Sequence, residues 1–115
     1  MSIIDMSKPK TELPYGTLDL LILKTLDTMG ALHGYSIARR IEQMSGTLRL
    51  SQGSIYPALM RLEQQGWIES DWKDTELGRP AKFYSLTKEG REQLERELET
   101  WHRLSSAVGL VLKKA

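Results

Sequence analysis

Apolar residues recur at helical spacing in four stretches of this chain and alternate in two others. Leu18, Leu21, Ile22 and Leu26 lie three and four residues apart, which places them on one face of a helix. Thr17 stands where an N-cap belongs, Asp19 falls in the first turn, where the helix macrodipole favours an anion, and Gly30 marks the end. Ile37, Ala38, Ile41 and Met44 repeat the pattern in a second helix over residues 35–44, stopped by Gly46. A short extended piece, residues 47–50, leads to Ser51 as the N-cap of a third helix over 52–65, which ends at Gly66. Residues 67–73 and 81–86 then alternate like half-buried strands, and Gly78 and Pro80 mark the hairpin loop between them. Thr87 caps a long final helix that runs towards Leu112.

Three short helices followed by a hairpin is the order of a winged helix-turn-helix domain. The fold class predicted is mainly α (α+β), with a two-stranded wing and an additional long C-terminal helix. The chain divides into a polar, flexible segment at 1–12, the winged domain at 13–88 and the final helix at 89–115.

The third helix carries Gly53 and Pro57 in its first turns, two residues that a helix tolerates badly. At about 100° per residue, Ile55, Leu59 and Leu62 share the inward side. Gly53, Pro57, Arg61 and Gln64 lie opposite, with Ser54 and Met60 beside them and Tyr56 on a flank. The helix breakers therefore face outward. A glycine and a compact ring let a large body approach the backbone, Ser54, Tyr56 and Arg61 offer polar contacts, and the free amides of the first turn favour phosphate. In a helix-turn-helix this is the end that enters the major groove. Taken alone, the stretch also reads as a turn ahead of a core helix. The hairpin adds Arg79 and Lys82 on or beside a loop stiffened by Pro80, which suits a wing touching phosphates or the minor groove, although a solvated turn would look the same. Both features on one scaffold favour double-stranded DNA as the partner.

In the final helix Leu94, Leu98, Trp101, Ser105, Val108 and Leu112 step alternately by four and three, a heptad seam flanked by Leu104 and Val111. Such a stripe stays wet unless a second copy covers it, so the helix is read as a homodimer interface. Ser105 and Gly109 interrupt the seam and leave room for a gap beside Trp101.

Composition narrows the remaining choices. The chain of 115 residues is 40% hydrophobic and 27% charged, and its formal net charge is only +1. Bulk charge therefore gives no argument for nucleic acid, and the case rests on local placement. The absence of cysteine excludes disulfides and thiolate metal sites. The longest apolar run, residues 18–26, is too short for a membrane and contains Asp19 and Lys24, and no signal peptide opens the chain, so a cytoplasmic location is expected. His33, just ahead of the second helix, reads as a local hydrogen-bonding residue, and His102 as solvated. Glu92 and Glu99 can pair with Arg96 and Arg103 along a solvated face. No catalytic motif, metal site or cofactor loop is present, and neither an enzymatic activity nor a cofactor is expected.

The stretches GTLDLLILKTL (16–26), LHGYSIARRI (32–41), SQGSIYPALMRLEQQGWI (51–68) and GRPAKFYSLTKEG (78–90) resemble the PadR-like bacterial transcriptional regulators, as four motifs in the same order. The resemblance implies a winged-helix, dimeric repressor that binds a palindromic operator. It assigns Ser54, Tyr56 and Pro57 to the recognition helix and Arg79 and Lys82 to the wing. A single C-terminal helix resembles the short-tailed branch of that family. In some of its members a tryptophan at the place of Trp101 stacks on planar hydrophobic effectors. One departure is Gln52, where the family often has proline; a glutamine there can contact a base or a phosphate. The alternative function is a winged-helix protein-interaction module without DNA binding, whose mark would be an apolar or acidic outward face over 53–64; Met60 is the only large apolar residue there. A small-molecule-binding enzyme or carrier built on the dimer channel has only Trp101 in its favour.

Overall fold

The chain enters its first helix through Gly16, whose backbone is left-handed at φ +87°, a conformation glycine adopts without the Cβ clash of other residues. Gly16 is therefore the N-cap. Thr17, expected in that role, is the first residue of α1 (Thr17–Met29), and no side chain closes this helix end. The structure, a computed structural model, describes residue 13 and residues 16–113; the flexible segment expected at 1–12 lies outside the described residues. After α1 come β1 (Leu32–His33), α2 (Gly34–Ser45), α3 (Gln52–Gln64), β2 (Ile68–Asp74), β3 (Pro80–Leu86) and α4 (Lys88–Lys113).

The sheet has three strands, in the order β1-β3-β2, and both pairings are antiparallel. The sequence suggests two strands, because two residues are too few to display a period. Leu32 pairs with Tyr84 and His33 with Phe83, so β1 ties the start of α2 to the wing.

The core is drawn from every layer: Ile22, Leu23 and Leu26 of α1, Ile37 and Ile41 of α2, Ile55, Ala58, Leu59 and Leu62 of α3, then Ile68, Tyr84 and Leu94. Leu18 and Leu21 are only partly buried, whereas Leu23 and Thr25 are fully covered. α1 is enclosed on two sides, by α2 and α3 and by α4, so its apolar stripe is wider than one face. The Thr25 hydroxyl donates to the Leu21 carbonyl at 2.7 Å and so enters the core satisfied. Met44, expected to face inward, is 57% exposed in the last turn of α2.

The turn between α2 and α3 is fixed by side chains. Ser45 Oγ accepts the amides of Thr47 and Leu48, at 3.3 and 3.0 Å, and Glu42 Oε2 accepts the amide of Leu50 at 2.7 Å. A second junction starts α4. Thr87 Oγ1 accepts the Gly90 amide at 2.9 Å and donates to the Gly66 carbonyl at 2.7 Å, while the Thr87 amide donates to the Trp67 carbonyl at 3.1 Å. Thr87 caps α4 as its sequence position suggests, and it also binds that helix to the end of α3.

Candidate nucleic-acid interface

Ser51 caps α3 through its hydroxyl, which accepts the Ser54 amide at 3.1 Å. The helix then turns Ile55, Ala58, Leu59 and Leu62 into the core and leaves Gln52, Gly53, Ser54, Tyr56 and Pro57 exposed. These five residues form a contiguous outward surface over the first two turns, as the periodicity predicts. Pro57 removes the amide that would bond the Gly53 carbonyl, and four buried side chains hold the helix together across that gap. Gly34 of α2 sets the position of Tyr56. A Cβ on Gly34 would lie 2.8 Å from Tyr56 Cε1, so only glycine lets the ring rest there.

The wing stands beside this surface. Its tip is closed by the Thr75 amide and hydroxyl donating to the Arg79 carbonyl, at 2.9 and 2.8 Å, and by the Gly78 amide donating to the Thr75 carbonyl at 2.9 Å. Arg79 is exposed on that tip. The hairpin as a whole is not basic: Glu69, Asp71, Asp74 and Glu76 outnumber Lys73, Arg79 and Lys82.

Two predicted contacts are already engaged within the chain. Arg61 Nη2 donates to Asp19 Oδ1 of α1 at 2.8 Å, so its guanidinium is held by α1. Lys82 is half-buried. Its Nζ lies 3.6 Å from Glu63 Oε1 and 5.6 Å from the centre of the Tyr84 ring. Burial raises the Tyr84 phenol above its usual pKa, and the nearby Lys82 charge works in the opposite direction.

Three further residues shape this surface, and sequence reasoning passes over one of them, Glu63, entirely. Glu63 joins the wing to α3 by accepting the Ser70 hydroxyl at 2.5 Å as well as pairing with Lys82. His33 caps α2, its Nδ1 accepting the Ser36 amide at 3.3 Å, which agrees with the local role read from sequence; its ring also meets Phe83 edge-on. Trp72, read as part of a half-buried strand, is 65% exposed. It pairs with Lys82 and lies four residues beyond Ile68, so a period of two places it on the face of the hairpin that looks towards α3.

The final helix divides into two parts. Leu94, expected in an interchain seam, is 2% exposed and belongs to the domain core, because α4 begins by packing on α1. Leu98 is partly buried against that core. From Trp101 onward the residues of the helix are exposed, among them Trp101, Leu104, Ser105, Val108, Val111 and Leu112. Trp101 lines a cleft of about 370 Å³ together with Gly16, Thr17, Leu20 and Leu104. Arg103 and Glu99 make the expected pair at 3.7 Å, whereas Arg96 bonds Gln93. Among the described residues no helix is long and apolar enough to cross a membrane.

Residues 22–96 match the transcriptional regulator PadR-like family. Over 79 residues the chain is 48% identical to an uncharacterized 37.1 kDa protein in transposon TN4556 of Streptomyces fradiae; the match covers 69% of this chain but only 21% of that protein. A PadR family transcriptional regulator from Eggerthella lenta superposes with a TM-score of 0.75 at 30% identity, covering 87% of this chain and 85% of that one. A PadR-like transcriptional regulator from Bacillus cereus gives a TM-score of 0.72 at 33% identity, with 84% and 92% covered.

Proposed function

The chain belongs to the PadR-like family of transcriptional regulators, and from that premise we propose that it is a homodimeric repressor that reads a palindromic operator through α3 and the wing. The observation that carries this reading is the exposed surface of Gln52, Gly53, Ser54, Tyr56 and Pro57 beside the Arg79 tip. The low relief of Gly53 and Pro57 suits backbone approach to a groove floor, and Ser54, Tyr56 and Gln52 supply polar edges for bases or phosphates. The dimer is supported by the outer part of α4, where Trp101 at 45% exposure and Val111 at 70% belong to an apolar stripe left exposed among the described residues. A second copy packed along it would bury Trp101, Val108 and Leu112 around Ser105. A planar hydrophobic effector is a further part of the proposal, supported by the apolar cleft on which Trp101 lies.

Selection of bound duplexes from a random library, with sedimentation of the complex, tests the reading. The expected product is an inverted repeat with half-site centres about 10 bp apart or a multiple of that, bound by two copies. A single asymmetric site bound by one copy would defeat it. Derepression of a reporter behind the selected repeat, when the regulator is deleted, tests the sign of regulation.

A further inference from the structure

A cleft of about 440 Å³ separates α3 from the wing, with Tyr56 on one wall, Trp72 and Lys82 on the other, and Gly34 and Tyr84 between them. Trp72 is the largest exposed side chain in the hairpin, and burying an indole is worth more than most surface contacts. An apolar residue of this size on a strand whose other exposed residues are Glu69, Asp71, Lys73 and Asp74 calls for something to cover it. Among the described residues the lining of the cleft includes none from α4, which packs on α1. The lining does include Lys82, whose ammonium also reaches Glu63 outside the lining, and, among the described residues, no carboxylate, which suits a polyanion rather than a cation. The cleft also runs on from Tyr56, so whatever lies along the outward surface of α3 extends into it.

We propose that this cleft seats one sugar-phosphate strand of the bound duplex, with the Trp72 indole packed against deoxyribose while Tyr56 and Lys82 face the phosphates. The proposal rests on the DNA-binding reading above. It also resolves a difficulty of that reading, namely that the hairpin has more acidic than basic residues. Part of its hold on DNA then comes from an apolar contact, which carries no charge and releases no counterions.

The test is fluorescence anisotropy of a labelled duplex, selected by the parent protein from a random library, across a range of salt concentrations. Trp72→Ala is expected to weaken binding by about tenfold with the salt slope unchanged, and Trp72→Phe to recover most of the loss. Both variants should melt with the parent, because the side chain is exposed. Affinity of Trp72→Ala equal to that of the parent would overturn the proposal. So would a loss accompanied by a flatter slope, which would mean that Trp72 acts only by placing Lys82. A parent that selects no duplex would overturn both the proposal and the DNA-binding reading, so the two failures are distinguishable.

Discussion

Glu63 of α3 holds Lys82 of the wing, Oε1 to Nζ at 3.6 Å, in a pair whose side chains are each more than a third exposed. The lysine expected to meet phosphate is thus balanced by a carboxylate of its own chain. A pair this exposed contributes little to stability, about 1 kcal/mol at most. Its larger effect is on DNA, because a phosphate must compete with Glu63 for Lys82. Glu63→Gln should tighten binding to any duplex by up to about fivefold and steepen the salt dependence by less than about one unit of slope. Weaker binding in that variant would show that the pair serves to hold the wing in place. Anisotropy at two salt concentrations decides the matter.

Arg61 and Arg79 separate in the same assay. Arg79 is exposed on the wing tip, whereas Arg61 is bound to Asp19 at 2.8 Å. Arg79→Ala should flatten the salt slope by about one unit, and adding Lys82→Ala should bring the change to at most about two, because Glu63 holds part of the Lys82 charge. Arg61→Ala should leave the slope nearly unchanged and instead lower the thermal midpoint slightly, through loss of the link between α3 and α1. Equal slopes for Arg61→Ala and Arg79→Ala would return Arg61 to the DNA surface.

The inward and outward sides of α3 are legible in the sequence, because a 3.6-residue period places Ile55, Leu59 and Leu62 opposite Gly53 and Pro57 without reference to any other element. The capping serine and threonine, Ser51 and Thr87, are legible for the same local reason. What a side chain does at long range is not. Nothing in the residues around Arg61 announces Asp19, which lies 42 positions away, and a period cannot reveal that the seam position Leu94 is spent on the core before the exposed part of α4 begins. The strand pattern likewise gives the face on which Trp72 lies, but not that α3 stops short of covering it. The missed strand β1 is a tertiary feature, two residues made extended by their pairing with β3.

Gly90 carries a stability prediction in which two effects oppose each other. Alanine favours a helix interior over glycine by about 1 kcal/mol. A Cβ at Gly90, however, would lie 1.9 Å from the Trp67 carbonyl oxygen, a backbone atom already bonded to the Thr87 amide. Relieving that overlap means moving α4 away from the end of α3, at a cost of about 3 kcal/mol or more. Gly90→Ala should therefore lower the urea midpoint markedly. Gly109→Ala, with nothing among the described residues within 4 Å of its Cβ, should raise helix stability unless a second copy packs there. Destabilisation of the dimer alone by Gly109→Ala would place that residue at the close approach of the two helices.

The boundary inside α4 gives a final prediction. Leu94 and Leu98 lie in or against the core, while every residue from Trp101 to Lys113 is exposed. A chain ending after Thr100 keeps the buried Gly90 and Leu94 and the partly buried Leu98, and loses the free stripe together with the Trp101 and Leu104 side of the cleft beside Leu20. It should fold, with a thermal midpoint independent of protein concentration, and sediment as a single copy. The full chain should sediment as two copies, with a midpoint that rises with concentration, because association is linked to folding. The shortened chain retains α3, the cleft and the wing, so it should still bind a single half-site with weak affinity. It should bind the inverted repeat no more tightly per half-site, since the gain from linking two modules depends on the tether that has been removed. A shortened chain that dimerised or bound the repeat with full affinity would locate the interface elsewhere, with the cleft beside Gly16 and Leu20 the next surface to examine. A full chain that stayed monomeric at every concentration would leave the α4 stripe to a different partner.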